Sequence, residues 1–153
     1  MDGRTSKRVL AISSGGGHWV QLLRLEPAFD GCDVAYATVS PKYRSEVPGR
    51  RFYVIRDATR WNRVALLVQA VQIALIMLWE RPDVVVSTGA APGYFAMRLG
   101  KLLGRRTIWI DSIANVEQLS MTGQLVGRYA DLWLTQWVHL ARPGGPYFMG
   151  AVL

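Results

Sequence analysis

Three short segments, residues 9–13, 84–87 and 107–110, place the tightest limits on how this chain can fold. They contain Val9-Leu10-Ala11-Ile12, Val84-Val85-Val86-Ser87 and Thr107-Ile108-Trp109-Ile110, apolar runs without the polar alternation of a half-exposed strand. Strands that read this way are covered on both faces, as in parallel sheets whose crossovers are helices. Helical stretches stand between them. Residues 18–29 gather Trp19, Leu22, Leu23, Leu25 and Ala28 on one broad side before Gly31, and residues 61–79 and 94–103 follow, the latter ended by Gly104. Further strands are expected at 33–39, 52–55 and 131–135, a polar loop at 40–51, and a last helical turn at 122–128. With right-handed crossovers, this predicts one α/β domain over 1–153: a Rossmann-like, mostly parallel sheet with helices on both faces. A glycine- and proline-rich tail at 141–153 is a candidate for docking a partner.

The 61–79 helix breaks its apolar surface only at Gln69 and Gln72. A membrane-spanning helix needs about 20 apolar residues, so this one is short. It is expected to be buried between the sheet and a partner, with a position partly in a membrane surface as the rival. Half of all residues are apolar, 50%, against 19% charged, and that shortage of charge points to a covered surface. The net charge of +7 comes mainly from arginine, and the chain holds 6 tryptophans. Arginine with tryptophan suits a protein interface or a lipid headgroup layer. Neither a base-reading basic helix nor zinc-finger spacing is present, so nucleic acid is not an expected partner. Cys32 is the only cysteine, which excludes an internal disulfide and a cysteine metal cluster. A reducing cytoplasm fits this usage, and the apolar run after Met1–Arg8 is too short for a signal peptide.

Open parallel sheets bind ligands beyond the carboxyl ends of their strands. Three loops qualify: Ser13 to His18, Thr88 to Gly93, and Asp111 to Gln118. In the first, Ser14, Gly15, Gly16 and Gly17 let peptide nitrogens approach a phosphate at a helix start. No Gly-Lys-Ser/Thr follows, and the dinucleotide spacing fails at Val20. His18, at that helix start, is favoured as neutral imidazole able to accept a hydroxyl proton; alternatively it is structural. Thr88 and Gly89 begin a second small-residue loop that either binds an anion or packs helix against strand. Asp111, with Ser112, reads as a carboxylate reachable from solvent at a strand end, or as a helix cap. Glu117 is a second carboxylate candidate. With only His18 and His139 as histidines, a metal site is not expected.

These blocks together are familiar. Ser14-Gly15-Gly16-Gly17-His18, Arg81-Pro82-Asp83-Val84-Val85-Val86-Ser87-Thr88-Gly89-Ala90, Leu102-Leu103-Gly104, Ile110-Asp111-Ser112, Leu119-Ser120-Met121-Thr122-Gly123 and the stretch from Ala130-Asp131 to Gln136-Trp137 resemble bacterial exopolysaccharide glycosyltransferase subunits of the Alg14-like family. Those in turn resemble the amino-terminal half of MurG-type GT-B enzymes. The resemblance implies the acceptor-side subunit of an inverting, metal-independent, two-subunit glycosyltransferase at the cytoplasmic membrane face. It would be an enzyme only with an Alg13-like partner that binds the nucleotide-sugar donor, and it would need no cofactor of its own. The acceptor would be a polyprenyl-diphosphate-linked saccharide. His18 and Asp111 would be the catalytic residues; Ser14, Gly15, Gly16, Gly17, Thr88, Gly89, Ser112, Asn115 and Glu117 would contact the acceptor or its diphosphate. Asp111 stands where the family usually has glutamate, and Asn115 where many members have arginine. The rivals are a non-catalytic scaffold that anchors a catalytic partner, and a small stand-alone nucleotide-binding enzyme.

Overall fold

Every strand runs parallel to its neighbours, as the unalternating apolar runs require. In the computed structural model, which describes residues 6–152, the strands are β1 (Arg8–Ile12), β2 (Asp33–Thr38), β3 (Arg51–Val54), β4 (Val84–Ser87), β5 (Arg106–Ile110), β6 (Leu132–Thr135) and β7 (Tyr147–Phe148). They form one sheet in the order β3-β2-β1-β4-β5-β6-β7. Residues 1–5 and 153, the ends of the expected domain and part of the leading segment, lie outside the described residues.

Side chains alternate across the central strands. Leu10 and Ile12 pack on one face with Ile73, Met77 and Met97, while Val9 and Ala11 pack on the other with Trp19 and Leu22. Helix α1 (Gly17–Arg24) covers the second face; α2 (Arg63–Glu80), α3 (Ala90–Leu102) and α4 (Met121–Val126) cover the first. The chain winds from β1 through β2 to β3, then crosses back over α2 to place β4 on the other side of β1. This reversal places the topological switch point at the carboxyl ends of β1 and β4, where parallel sheets of this kind bind ligands.

Several elements depart from expectation, among them a 3₁₀ helix at Pro41–Glu46 inside the expected 40–51 loop. Helix α3 starts at Ala90 rather than Tyr94, because Pro92 sits in the first turn, where its missing N–H has no intrahelical partner to lose. The 18–29 helix divides into α1 and a 3₁₀ turn at Glu26–Phe29 that carries Pro27 in its first two positions. The tail contributes β7, a two-residue edge strand paired with Leu134 and Thr135.

Helix α2 turns a stripe of Ala65, Gln69, Ile73, Ile76, Met77 and Glu80 inward. Its glutamines, which interrupt an otherwise apolar sequence, fasten the β3–α2 connection: Gln69 Nε2 donates to the Arg56 carbonyl at 2.7 Å, and Gln72 Oε1 accepts from the Arg56 amide at 2.7 Å. The opposite stripe, Val64, Leu67, Val71, Leu75 and Leu78, is apolar and exposed. Burial between sheet and partner is therefore met on the sheet side only. This is the one helix among the described residues that is long and apolar enough to cross a membrane.

Candidate functional site

The switch point is lined mostly by main-chain groups. Gly16 precedes α1 with a φ of 64°, a left-handed conformation that favours glycine. A Cβ at Gly16 or Gly17 would meet nothing within 4 Å, so both face open space. No side chain caps α1, which leaves the first-turn amides at Gly17 and His18 without a side-chain acceptor at the positive end of the helix. The Gly16 amide is not free: it donates to the Tyr43 hydroxyl at 2.9 Å. Tyr43 also stacks on Trp19, with ring centroids 5.1 Å apart. Its hydroxyl oxygen thus occupies one of the positions expected for a phosphate oxygen.

The second loop closes directly on the first. His18 Nδ1 lies 3.0 Å from the Thr88 carbonyl, and the Thr88 hydroxyl donates to the His18 carbonyl at 2.6 Å. A carbonyl oxygen can only accept, so Nδ1 carries the proton and, in neutral imidazole, Nε2 keeps its lone pair. A Cβ on Gly89 would overlap the imidazole ring, and one on Gly93 would overlap Ser87 Oγ. The small residues of this loop therefore serve close packing: Gly89 admits the His18 ring and Gly93 seats α3 against β4. Ser14, Gly15, Gly16, Gly17 and His18 lie together, while Thr88 and Gly89, expected to contact the acceptor, are buried behind the His18 ring, Thr88 with both its carbonyl and its hydroxyl engaged by His18.

Asp111 does not join it. The expectation of a carboxylate reachable from solvent is corrected: Asp111 is 1% exposed. Its Oδ1 accepts from Trp109 Nε1 at 3.2 Å and Ser120 Oγ at 2.6 Å; its Oδ2 accepts from the Ser120 amide at 2.9 Å and Asn115 Nδ2 at 3.3 Å. Ser120 Oγ in turn accepts from the Gly123 amide and caps α4. The carboxylate thus fixes the loop from 112 to 120 onto α4, close to its alternative reading as a cap. Asn115 is engaged in that network. Ser112 is buried too, accepting from Gln21 Nε2 at 3.0 Å and the Ala114 amide at 3.2 Å. Glu117 is exposed and lines a separate cavity beside Trp133.

Three partners in this region were not among the site residues expected from the sequence. Tyr43 lay in a segment read only as a polar loop. Gln21 and Gln136 join strand-end loops far apart in the chain: Gln136 Nε2 donates to Gln21 Oε1 at 2.6 Å and to the Asp111 carbonyl at 2.9 Å. A cluster of shifted ionisable groups sits at the opposite edge of the sheet. Arg51 bonds Asp33 and Glu80, holding the Asp33 carboxyl below its ordinary range, and burial beside Glu80 pushes the Tyr53 phenol up to about 12. Those contacts tie β2, β3 and α2 together. Among the described residues no three His, Cys, Asp or Glu side chains converge on a metal position.

This sheet order, with a glycine loop after β1, defines the class: the amino-terminal half of a GT-B fold. The crystal structure of Acinetobacter baumannii MurG superposes with a TM-score of 0.73 at 17% identity, covering 92% of this chain and 46% of that one. The chain thus spans under half the length of that structure. Residues 54–149 match the family model described as oligosaccharide biosynthesis protein Alg14 like. The chain is 30% identical to the UDP-N-acetylglucosamine transferase subunit ALG14 of Eremothecium gossypii, over 89% of this chain and 75% of that protein. It is 34% identical to the corresponding subunit of Schizosaccharomyces pombe, over 88% and 78%. The chain belongs to the Alg14-like family. Membership overturns the reading of this chain as an enzyme: Alg14-like proteins are the non-catalytic partner subunits of a heterodimeric glycosyltransferase system. The burial of Asp111 agrees, since it removes one of the two side chains expected to act in catalysis.

Proposed function

We propose that this chain anchors a catalytic, nucleotide-sugar-binding partner at the cytoplasmic face of a membrane and supplies the wall against which a polyprenyl-diphosphate-linked saccharide lies. The sugar transfer, in polysaccharide biosynthesis, belongs to the partner. The observation that carries the reading is the outward face of α2. Its aliphatic stripe is bracketed by Trp61 and Trp79, 80% and 78% exposed. Arg60 and Arg63 stand at one end, Arg81 at the other, and Arg98 and Lys101 on neighbouring α3. Indole rings at the ends of an apolar stripe, with cations around it, match the headgroup layer of an anionic leaflet. A groove of about 530 Å³ between α2 and α3, lined by Val71, Ala74, Phe95 and Leu102, continues that face.

In this reading the amides of Gly17 and His18 meet the acceptor diphosphate, Ser14, Gly15 and Gly16 shape the wall around it, and the buried Thr88 and Gly89 hold His18 in place. His18 Nε2 orients an acceptor hydroxyl. The missing second wall is the partner. Co-expression with the donor-binding subunit, followed by flotation on phosphatidylglycerol vesicles, tests this. The partner is expected to float only when this chain is present. A partner that floats equally well alone, or a chain that stays in solution, rejects the anchoring role.

A further inference from the structure

A cavity of about 300 Å³ lies between the loop after β5, the start of α4 and the crossover into β7. It shares no lining residue with the glycine loop. Trp133 of β6 lines it, and two glycines press against the indole. A Cβ at Gly127 would stand 2.6 Å from its Cζ3, and one at Gly145 would stand 3.1 Å from its Cε3. The indole Nε1 is buried and has no acceptor among the described residues. Indole N–H is a donor only, and buried donors are nearly always paired, so this one stands out.

The rest of the lining suits a neutral, hydroxyl-rich ligand. Glu117 and Arg142 bring opposite charges, and Gln118 and Gln124 bring amides. Gln124 Nε2 donates to the Leu119 carbonyl at 3.0 Å, which leaves Oε1 to accept from a ligand. Balanced charges do not select an ion. Planar groups that donate and accept in pairs, arranged around an aromatic side chain, select a ring with an apolar C–H face and hydroxyls on its rim. We propose that this cavity binds a single six-membered sugar ring against Trp133. The inference goes beyond the anchoring role and stands without it. The ring could belong to the membrane-linked saccharide or to the donor, whose chemistry at this cavity is the same.

The indole N–H resonances of the full chain provide the test. The chain has 6 tryptophans, and the Trp133 signal is assigned by Trp133→Phe, or by backbone connectivity through β6 if that variant does not fold. Methyl β-D-glucopyranoside, N-acetylglucosamine and UDP-N-acetylglucosamine are titrated separately. The Trp133 signal is expected to shift and saturate. Arg142→Ala and Glu117→Gln, both exposed side chains, are each expected to weaken binding about tenfold while other resonances stay in place. Equal affinity for the free and nucleotide-linked sugar supports recognition of the ring itself. Tighter binding of the nucleotide sugar, still sensitive to both variants, supports the donor as source. A signal that does not move, or that moves identically in both variants, overturns the proposal. Vesicle flotation of the same samples reads the anchoring role separately.

Discussion

Gly89 leaves room for the His18 ring and for no side chain of its own. Its φ of 150° is also one that L-residues rarely adopt. Gly89→Ala is expected to displace the imidazole from the Thr88 carbonyl and to cost about 1–3 kcal/mol. The urea midpoint and the His18 Nδ1 resonance check this; an unchanged pair would mean that the two loops do not meet as described. The glycine run and His18 were conspicuous in the sequence because unusual residue types were crowded beside a strand end. The fate of Asp111 was not legible. Its burial depends on Ser120 and Asn115 folding back over it, and nothing in a strand-end aspartate tells a solvent-facing carboxylate from one that organises its own loop. Tyr43 was hidden for a related reason: a tyrosine 27 residues from Gly16 reaches its amide only through the stack on Trp19.

At the scale of elements, strand centres were readable because burial on both faces forces apolar runs. Their parallel direction followed from the helices between them, while their order in the sheet came only from the structure. The β7 strand was missed because two exposed residues, Tyr147 and Phe148, carry no run to read. The C-terminal end of α3 is joined to the β6 side of the sheet by Lys101 Nζ donating to Asp131 Oδ1 at 2.7 Å. Asp131 Oδ2 also accepts from the Thr107 amide at 3.0 Å. The Lys101 bond, followed by the Thr107 contacts, outweighs burial and lowers the Asp131 pKa from its ordinary 3.8. A depressed carboxylate pKa stabilises the fold fully above the unfolded value, and that contribution is lost as pH falls through the folded value. Thermal melts from neutral pH to about pH 3 are expected to show a steeper acid loss in the natural chain than in Asp131→Asn. Equal slopes would mean that the pair adds nothing. Asp33, also lowered by its bond to Arg51, keeps part of the acid limb in both proteins.

For the molecule as a whole, the shortage of charge and the arginine–tryptophan pairing pointed to a covered surface, and the fold adds that α2 exposes an apolar stripe on the side away from the sheet. Leu67→Glu with Leu75→Glu alters that stripe without touching the inward one. The pair is expected to leave unfolding within about 1 kcal/mol of the natural chain. Binding to phosphatidylglycerol vesicles should fall at least about tenfold. Unchanged sedimentation with vesicles would move the membrane contact elsewhere. In a parallel sheet each crossover helix runs opposite to its strands, so α2 begins at the edge where β1 and β4 end. If α2 lies flat on lipid, the strands lie nearly flat as well, and the glycine loop looks along the bilayer instead of away from it. A substrate rooted in the leaflet would then arrive by lateral diffusion in two dimensions, never leaving the surface that carries it.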